Sequence, residues 1–294
     1  MAEGFIVGSV FDYSTKPGDS LVSIGARFGV ASEVLAHQNA LKLNAKLLPG
    51  QMLTIDHRHI APMPQSAGLL INLPQRMLYF FRDADSAPHP DESQPETRHP
   101  PATQAFQLVA AYPVGLGRPS WPTPMGVFKV VNKSDNKTWV VPLSIQAEMR
   151  QKGQVVKTTV PPGPDNPLGK YWLGLSINSI GIHGTLAPSS IYHFQSHGCI
   201  RLHPDDIEVL FANVPLGTPG RIIYSPVLIA ESAGHIFIEA HRDSYNRGSI
   251  SIAALEQFAH QRQLKDRIDW SKAAEVLKLR EGIARDVTLS SALH

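Results

Sequence analysis

The 294 residues predict a mainly β protein, with a small mixed unit ahead of the β core and a helical segment behind it. Three patterns support this reading. Many of the 24 prolines and 22 glycines sit where strands would end and turn, as at Pro113, Gly115, Gly117, Pro119, Pro122, Pro124 and Gly126. Stretches with β-branched and aromatic content run from Leu69 to Phe81 and from Ala105 to Val114. Helical periodicity stays weak through the middle of the chain until Pro204-Asp205-Asp206 opens a helix through Phe211.

Residues 10–56 read as a self-contained unit. A short strand ends at Tyr13, and Lys16-Pro17-Gly18-Asp19 makes a turn able to cap a helix. Leu21, Ile24 and Phe28 then share one helical face, and Gly29 stops that helix. Ser32 starts a second helix carrying Leu35 and Asn39, and Pro49-Gly50-Gln51 turns the chain into a last strand with Leu53 and Ile55. The run Gly18-Asp19-Ser20-Leu21, Ile24, Phe28-Gly29-Val30, Asn39 and Pro49-Gly50-Gln51-Met52-Leu53 resembles a LysM domain, with Gly25 where alanine is common. That resemblance implies a βααβ fold that binds N-acetylglucosamine-containing glycans such as peptidoglycan. A small helical cap without a ligand is the alternative.

Residues 57–67, rich in His, Pro and small residues, read as a linker. A mostly β domain is expected over 68–230, with further strands near 126–131, 138–141, 171–175, 179–183, 199–202 and 220–229. Between its first strands, residues 83–103 hold five prolines and acidic residues, the composition of a mobile loop. Residues 231–294 carry one more strand (His235 to Ala240) and helical patterns at 250–265 and 270–281, a docked appendage of unread function.

Composition removes several function classes. Twenty-seven basic and 25 acidic residues give a formal charge of +2 with no basic face, which sets nucleic acid aside. No apolar run approaches the ~20 residues that span a bilayer. No charged n-region with a following apolar run is visible, so an exported form would have lost its leader or carry it upstream of Met1. The lone Cys199 excludes an internal disulfide.

The chemistry lies in Gly181-Ile182-His183-Gly184-Thr185 and Ser196-His197-Gly198-Cys199-Ile200-Arg201-Leu202. A thiol nucleophile needs a base within reach, because the free thiol is mostly protonated at neutral pH. It also needs backbone N–H groups aimed at a developing oxyanion, and neighbours small enough to admit a carbonyl. Gly198 before Cys199 supplies access. His183, at a strand end beside Gly184, suits the base, and two adjacent strand ends joined by the loop Leu186 to Gln195 would bring it near. His197 is a rival base, two residues from Cys199 and on the same face of an extended chain. A zinc site built from His183, His193, His197, Cys199 and His203 lacks paired-cysteine or His-Glu-x-x-His spacing, so no metal or other cofactor is expected. Trp121, Trp139 and Trp172 could line a groove or simply pack.

These two segments resemble the catalytic signature of the YkuD-type L,D-transpeptidases. So do Ile71-Asn72-Leu73 with Leu78-Tyr79, Tyr112 to Gly117, Pro122 to Phe128 and Pro162 to Gly169. The resemblance covers about 68–230 and implies a β-sandwich or barrel-like fold in a bacterial cell envelope or periplasm. It implies Cys199 as nucleophile, His183 as base oriented by the Gly184 carbonyl, and an oxyanion hole of the His197, Gly198 and Cys199 N–H groups. Arg201, Ser196 and Thr185 become the substrate-binding candidates, with a structural ion pair as the alternative for Arg201. The implied reaction releases D-alanine from a tetrapeptide stem through a thioester. The acyl group then passes to another stem's amine, to a lipoprotein lysine, or to water. Acylation of the cysteine by carbapenems is implied as well. A glycan-binding adaptor without activity is the reading from a different class.

Overall fold

The computed structural model describes residues 1–84 and 105–290. The loop expected at 83–103 falls outside them from residue 85 onward.

The expected strand, helix, helix, strand order holds over the LysM-like unit. Strands Val10–Ser14 and Met52–Asp56 pair antiparallel, and helices Leu21–Phe28 and Ser32–Gln38 lie between them. The first helix is capped one residue later than the turn suggests. Ser20 and Ser23 form a capping box, while the Asp19 carboxylate accepts from the Lys16 N–H (2.7 Å) and the Tyr13 hydroxyl (2.8 Å). Gly29 ends the helix with φ +72. Leu21, Ile24, Leu35, Leu53 and Ile55 form its core.

An eight-stranded sheet follows, in the order Ile200–Arg201, Gly181–His183, Tyr171–Leu175, Gly126–Asp135, Pro219–Ile223, Gly68–Asn72, Met77–Asp83 and Phe106–Pro113. It curls around a core that includes Leu73, Leu78, Phe128, Leu173, Ile182, Ile200 and Leu210. The expected barrel-like β domain is therefore present. The stretch from Leu69 to Phe81 is two strands of a hairpin, because Arg76 takes a left-handed turn conformation (φ +56). Helix Pro204–Asn213 starts where the Pro-Asp-Asp signal placed it, with His203 as its N-cap. Helix Leu143–Gln151 had no sequence expectation.

The linker and the appendage are one structure rather than two attachments. Strands Arg285–Asp286, His235–Ala240, Val227–Ser232, Ala2–Val7 and His59–Pro62 form a five-stranded sheet in that order. Residues 59–62, expected as linker, are a buried strand because Ile60 and Ala61 fill the interior against Gly4 and Phe5. Helices Ile252–Gln261 and Trp270–Leu279 cover the sheet through Leu255, Ala259 and Ala273. No helix among the described residues is long and apolar enough to cross a membrane.

Candidate active site

Strand Gly181–His183 lies between Ile200–Arg201, parallel to it, and Tyr171–Leu175, antiparallel to it. Ile182 opposes Ile200, and both point into the core. Alternation along the strands then puts His183, Arg201 and the preceding Cys199 together on the opposite face. The expectation of two adjacent strand ends is met.

His183 is 4% exposed, and its Nδ1 donates to the Gly184 carbonyl at 2.5 Å. That bond leaves Nε2 as the free acceptor. The ring stacks against Trp172, its cross-strand neighbour, at 5.8 Å. Burial, then the Arg201 charge, pull its pKa down to about 4 against the opposing Gly184 and Leu168 carbonyls, so the ring is neutral at pH 7. Burial also pushes the Cys199 thiol above its ordinary value, partly offset by the Gly181 backbone and Arg201. The thiol lies 3.6 Å from the Ser179 carbonyl, and no hydrogen bond joins it to His183.

The turn before Cys199 is held from several sides. Gly198 sits at φ +105, and a Cβ there would meet Ile180 at 3.1 Å, so the position requires glycine. Its carbonyl accepts from the fully buried Thr123 hydroxyl (2.9 Å), which itself accepts from the Gly117 N–H (3.0 Å). The Tyr245 hydroxyl accepts from the Thr123 N–H (3.2 Å) and donates to the Gly117 carbonyl (2.6 Å), so the C-terminal segment reaches this loop.

The remaining sequence candidates divide. Ser196 is 2% exposed, donates to the Cys199 carbonyl (2.5 Å) and accepts from the Gly198 N–H (3.2 Å). It therefore shapes the turn, and the Gly198 N–H is already engaged. The Thr185 hydroxyl accepts from the Ala187 N–H (3.1 Å), yet the residue borders a cavity of roughly 380 Å³ together with Gly184, Gly169 and Lys170. Arg201 is half-buried and forms no salt bridge among the described residues, so the ion-pair alternative finds no support. His197 is turned to a partner of its own. Its Nε2 meets Glu148 at 2.7 Å and its ring lies 4.2 Å from that of Trp121. Glu148 also takes Arg118 (2.8 Å) and Lys152 (2.6 Å), and these bonds hold its carboxyl well below the usual range. Sequence reasoning missed Glu148, Arg118, Thr123 and Tyr245, which lie outside the two signature segments.

A family model described as the L,D-transpeptidase catalytic domain, YkuD, matches residues 66–229, and a LysM domain model matches 13–56. The chain belongs to the L,D-transpeptidase family. Among its relatives, the ErfK/SrfK protein of Salmonella typhimurium, named a probable L,D-transpeptidase, is 30% identical over 94% of this chain and 84% of its own length. The Escherichia coli K12 protein of the same name is 32% identical over 79% of this chain and 68% of its own. A crystal structure of the Enterococcus faecium L,D-transpeptidase aligns with 54% of this chain and 50% of its own at 19% identity, with a TM-score of 0.36, a partial likeness only. As an L,D-transpeptidase with a LysM domain, the protein acts on peptidoglycan and binds it.

Proposed function

We propose that Cys199 is the nucleophile and His183 the general base of a two-step acyl transfer on tetrapeptide stems. The observation that carries this is the register that sets both side chains on one face of neighbouring strands, with Nδ1 of His183 committed to Gly184. To react, the thiol must turn from the Ser179 carbonyl toward Nε2 of His183. Sγ then attacks the carbonyl of the amide joining the third residue to the terminal D-alanine, and its proton passes to Nε2 of His183. The N–H groups of His197 and Cys199 receive the oxyanion. Collapse breaks the C–N bond, D-alanine leaves with the proton from His183, and a thioester remains. An acceptor amine then attacks the thioester, gives its proton to Nε2, and the thiol is restored. Arg201, charged and without an acidic partner among the described residues, suits a substrate carboxylate, and the cavity beside Thr185 suits the peptide.

The acceptor is the amine of a second stem, giving a three-to-three cross-link, or a lipoprotein lysine, giving an anchored protein. Water as acceptor would make the protein an L,D-carboxypeptidase. This substrate places the enzyme in the cell envelope, in the periplasm of a cell with two membranes. Mass spectrometry of muropeptides incubated with wild type and Cys199→Ala tests the assignment. Transferred product and free D-alanine are expected from wild type alone, and turnover by the alanine variant would overturn the role of Cys199. Added amine appearing in product separates transfer from hydrolysis.

A further inference from the structure

Where the LysM unit, the catalytic sheet and the C-terminal segment meet, they enclose a cavity of roughly 310 Å³ whose lining includes neither Cys199 nor His183. Its wall is cationic. Arg76, Arg242 and Arg280 all border it, and none of them forms a salt bridge among the described residues. Of the two carboxylates on the same wall, Glu281 is taken by Arg285 at 2.6 Å, which leaves Glu33.

Inside this wall, polar groups are left over. Arg76 lies 4.0 Å over the Tyr192 ring and approaches its hydroxyl closely enough to oppose the burial-driven rise in that group's pKa, yet neither its Nε nor the hydroxyl has a partner at full hydrogen-bond geometry. Tyr192 is only 3% exposed. Buried polar atoms are nearly always satisfied, and an exception calls for a missing partner. Five side-chain atoms among the described residues are in this state, and two of them border this one cavity. The field is positive as well. Burial and then Arg76 pull His193 down, and burial chiefly, with Arg76 adding, pulls down His241 against Glu239.

We propose that this cavity binds a small ligand through a single oxyanion, a carboxylate or a phosphate, held by Arg76, Arg242 and Arg280. Guanidinium groups pair with either one in bidentate fashion. Glu33 on the same wall disfavours a polyanion. The site has a route to the chemistry, because Tyr192 and His193 belong to the chain between His183 and Cys199. A peptide carboxylate from the wall polymer and a phosphoryl group are the two sources of such a ligand.

Isothermal titration calorimetry of the full chain with N-acetyl-D-alanine and with inorganic phosphate tests this, using wild type, Arg242→Ala/Arg280→Ala and Arg201→Ala. Arg242 and Arg280 are exposed, so their replacement leaves the core intact. At least one probe should bind saturably at millimolar concentration or below. Affinity should drop about tenfold or more in the double variant and stay unchanged in Arg201→Ala. The same probe should move the His193 ring resonances in NMR spectra. Binding of N-acetyl-D-alanine alone assigns a peptide carboxylate, phosphate alone assigns a phosphoryl source, and binding of both assigns a general oxyanion site. No saturable binding, or binding that survives the double substitution, would overturn the proposal. So would binding lost in Arg201→Ala instead, since the probe would then occupy the catalytic face. Each of these failures leaves the acyl-transfer reading standing.

Discussion

The pKa values of His183 and Cys199 are moved in opposite directions by the same cause. Burial favours the uncharged form of each, so the resting pair is a neutral imidazole and a thiol. With His183 as the proposed base, protonation of Nε2 should inactivate, and with its pKa at about 4 that loss should come far below the ~6.5 of an exposed histidine. A profile of kcat/KM against pH should therefore keep its acid limb near 4, whereas a limb near 6.5 would mean that water reaches the ring. Iodoacetamide modification of Cys199 should likewise keep accelerating as pH rises past 9, since burial holds the thiol above that value. The bond from His183 to the Gly184 carbonyl was legible because the signature fixes both residue type and spacing. Ser196 and Thr185 were read as substrate contacts, yet both hydroxyls are used by nearby backbone. Sequence names a hydroxyl without saying which way it points.

Among the elements, the strands around the site were the most legible. Tyr171–Leu175 matches its expected bounds, and the strand expected at 179–183 is Gly181–His183, with the same end and a later start. Helix Leu143–Gln151 escaped for a physical reason. It has no side-chain N-cap and buries only Gln146, so it shows neither a capping signal nor an apolar stripe. Side-chain bonds of Glu148 to Arg118 and His197 attach it to segments far apart in the chain. Glu148 is thus the tie between this helix and the turn bearing Cys199. Burial already lowers the His197 pKa, and Glu148 opposes that fall. Glu148→Gln removes the opposing charge, so the His197 ring should titrate at lower pH than in wild type, as followed by NMR. Its kcat/KM on soluble muropeptide should fall several-fold. An unmoved His197 titration would show that the carboxylate does not govern that ring.

Across the whole molecule, a buried carboxylate joins all three parts. Glu239 in the C-terminal sheet is fully buried and meets Nδ1 of His59 (2.9 Å), Nε2 of His241 (2.7 Å), the Gln75 amide (3.0 Å) and the Ile60 N–H (2.5 Å). His59 in turn reaches the Gly29 carbonyl of the LysM unit (3.0 Å). None of this was visible in the sequence, where 57–67 and 231–294 read as linker and appendage. The parallel pairing of Ala2–Gly4 with Leu228–Ala230 joins segments far apart in the chain with no local signature to announce it. Burial alone would raise the Glu239 carboxyl, but His59 and His241 outweigh it and hold the group at about 2. A carboxyl depressed from 4.5 contributes stability that is complete above about 4.5 and fades as pH falls toward 2. Breaking such a buried network costs roughly 3–5 kcal/mol. Glu239→Gln should accordingly lower Tm by on the order of 10 °C at neutral pH, and should lose part of the acid sensitivity seen in wild type. The same architecture argues that the catalytic domain does not stand alone. A chain cut to the family-matched residues 66–229 would leave Val227 to Ile229 without the partners they have in Ala2–Val7 and His235–Ala240. It would also strip Tyr245 from the Gly117–Thr123 brace behind Cys199. Expressed in that form, it should be largely insoluble or molten by near-UV circular dichroism, while the full chain unfolds in one transition. A soluble, active 66–229 fragment would show that the five-stranded sheet is a true appendage.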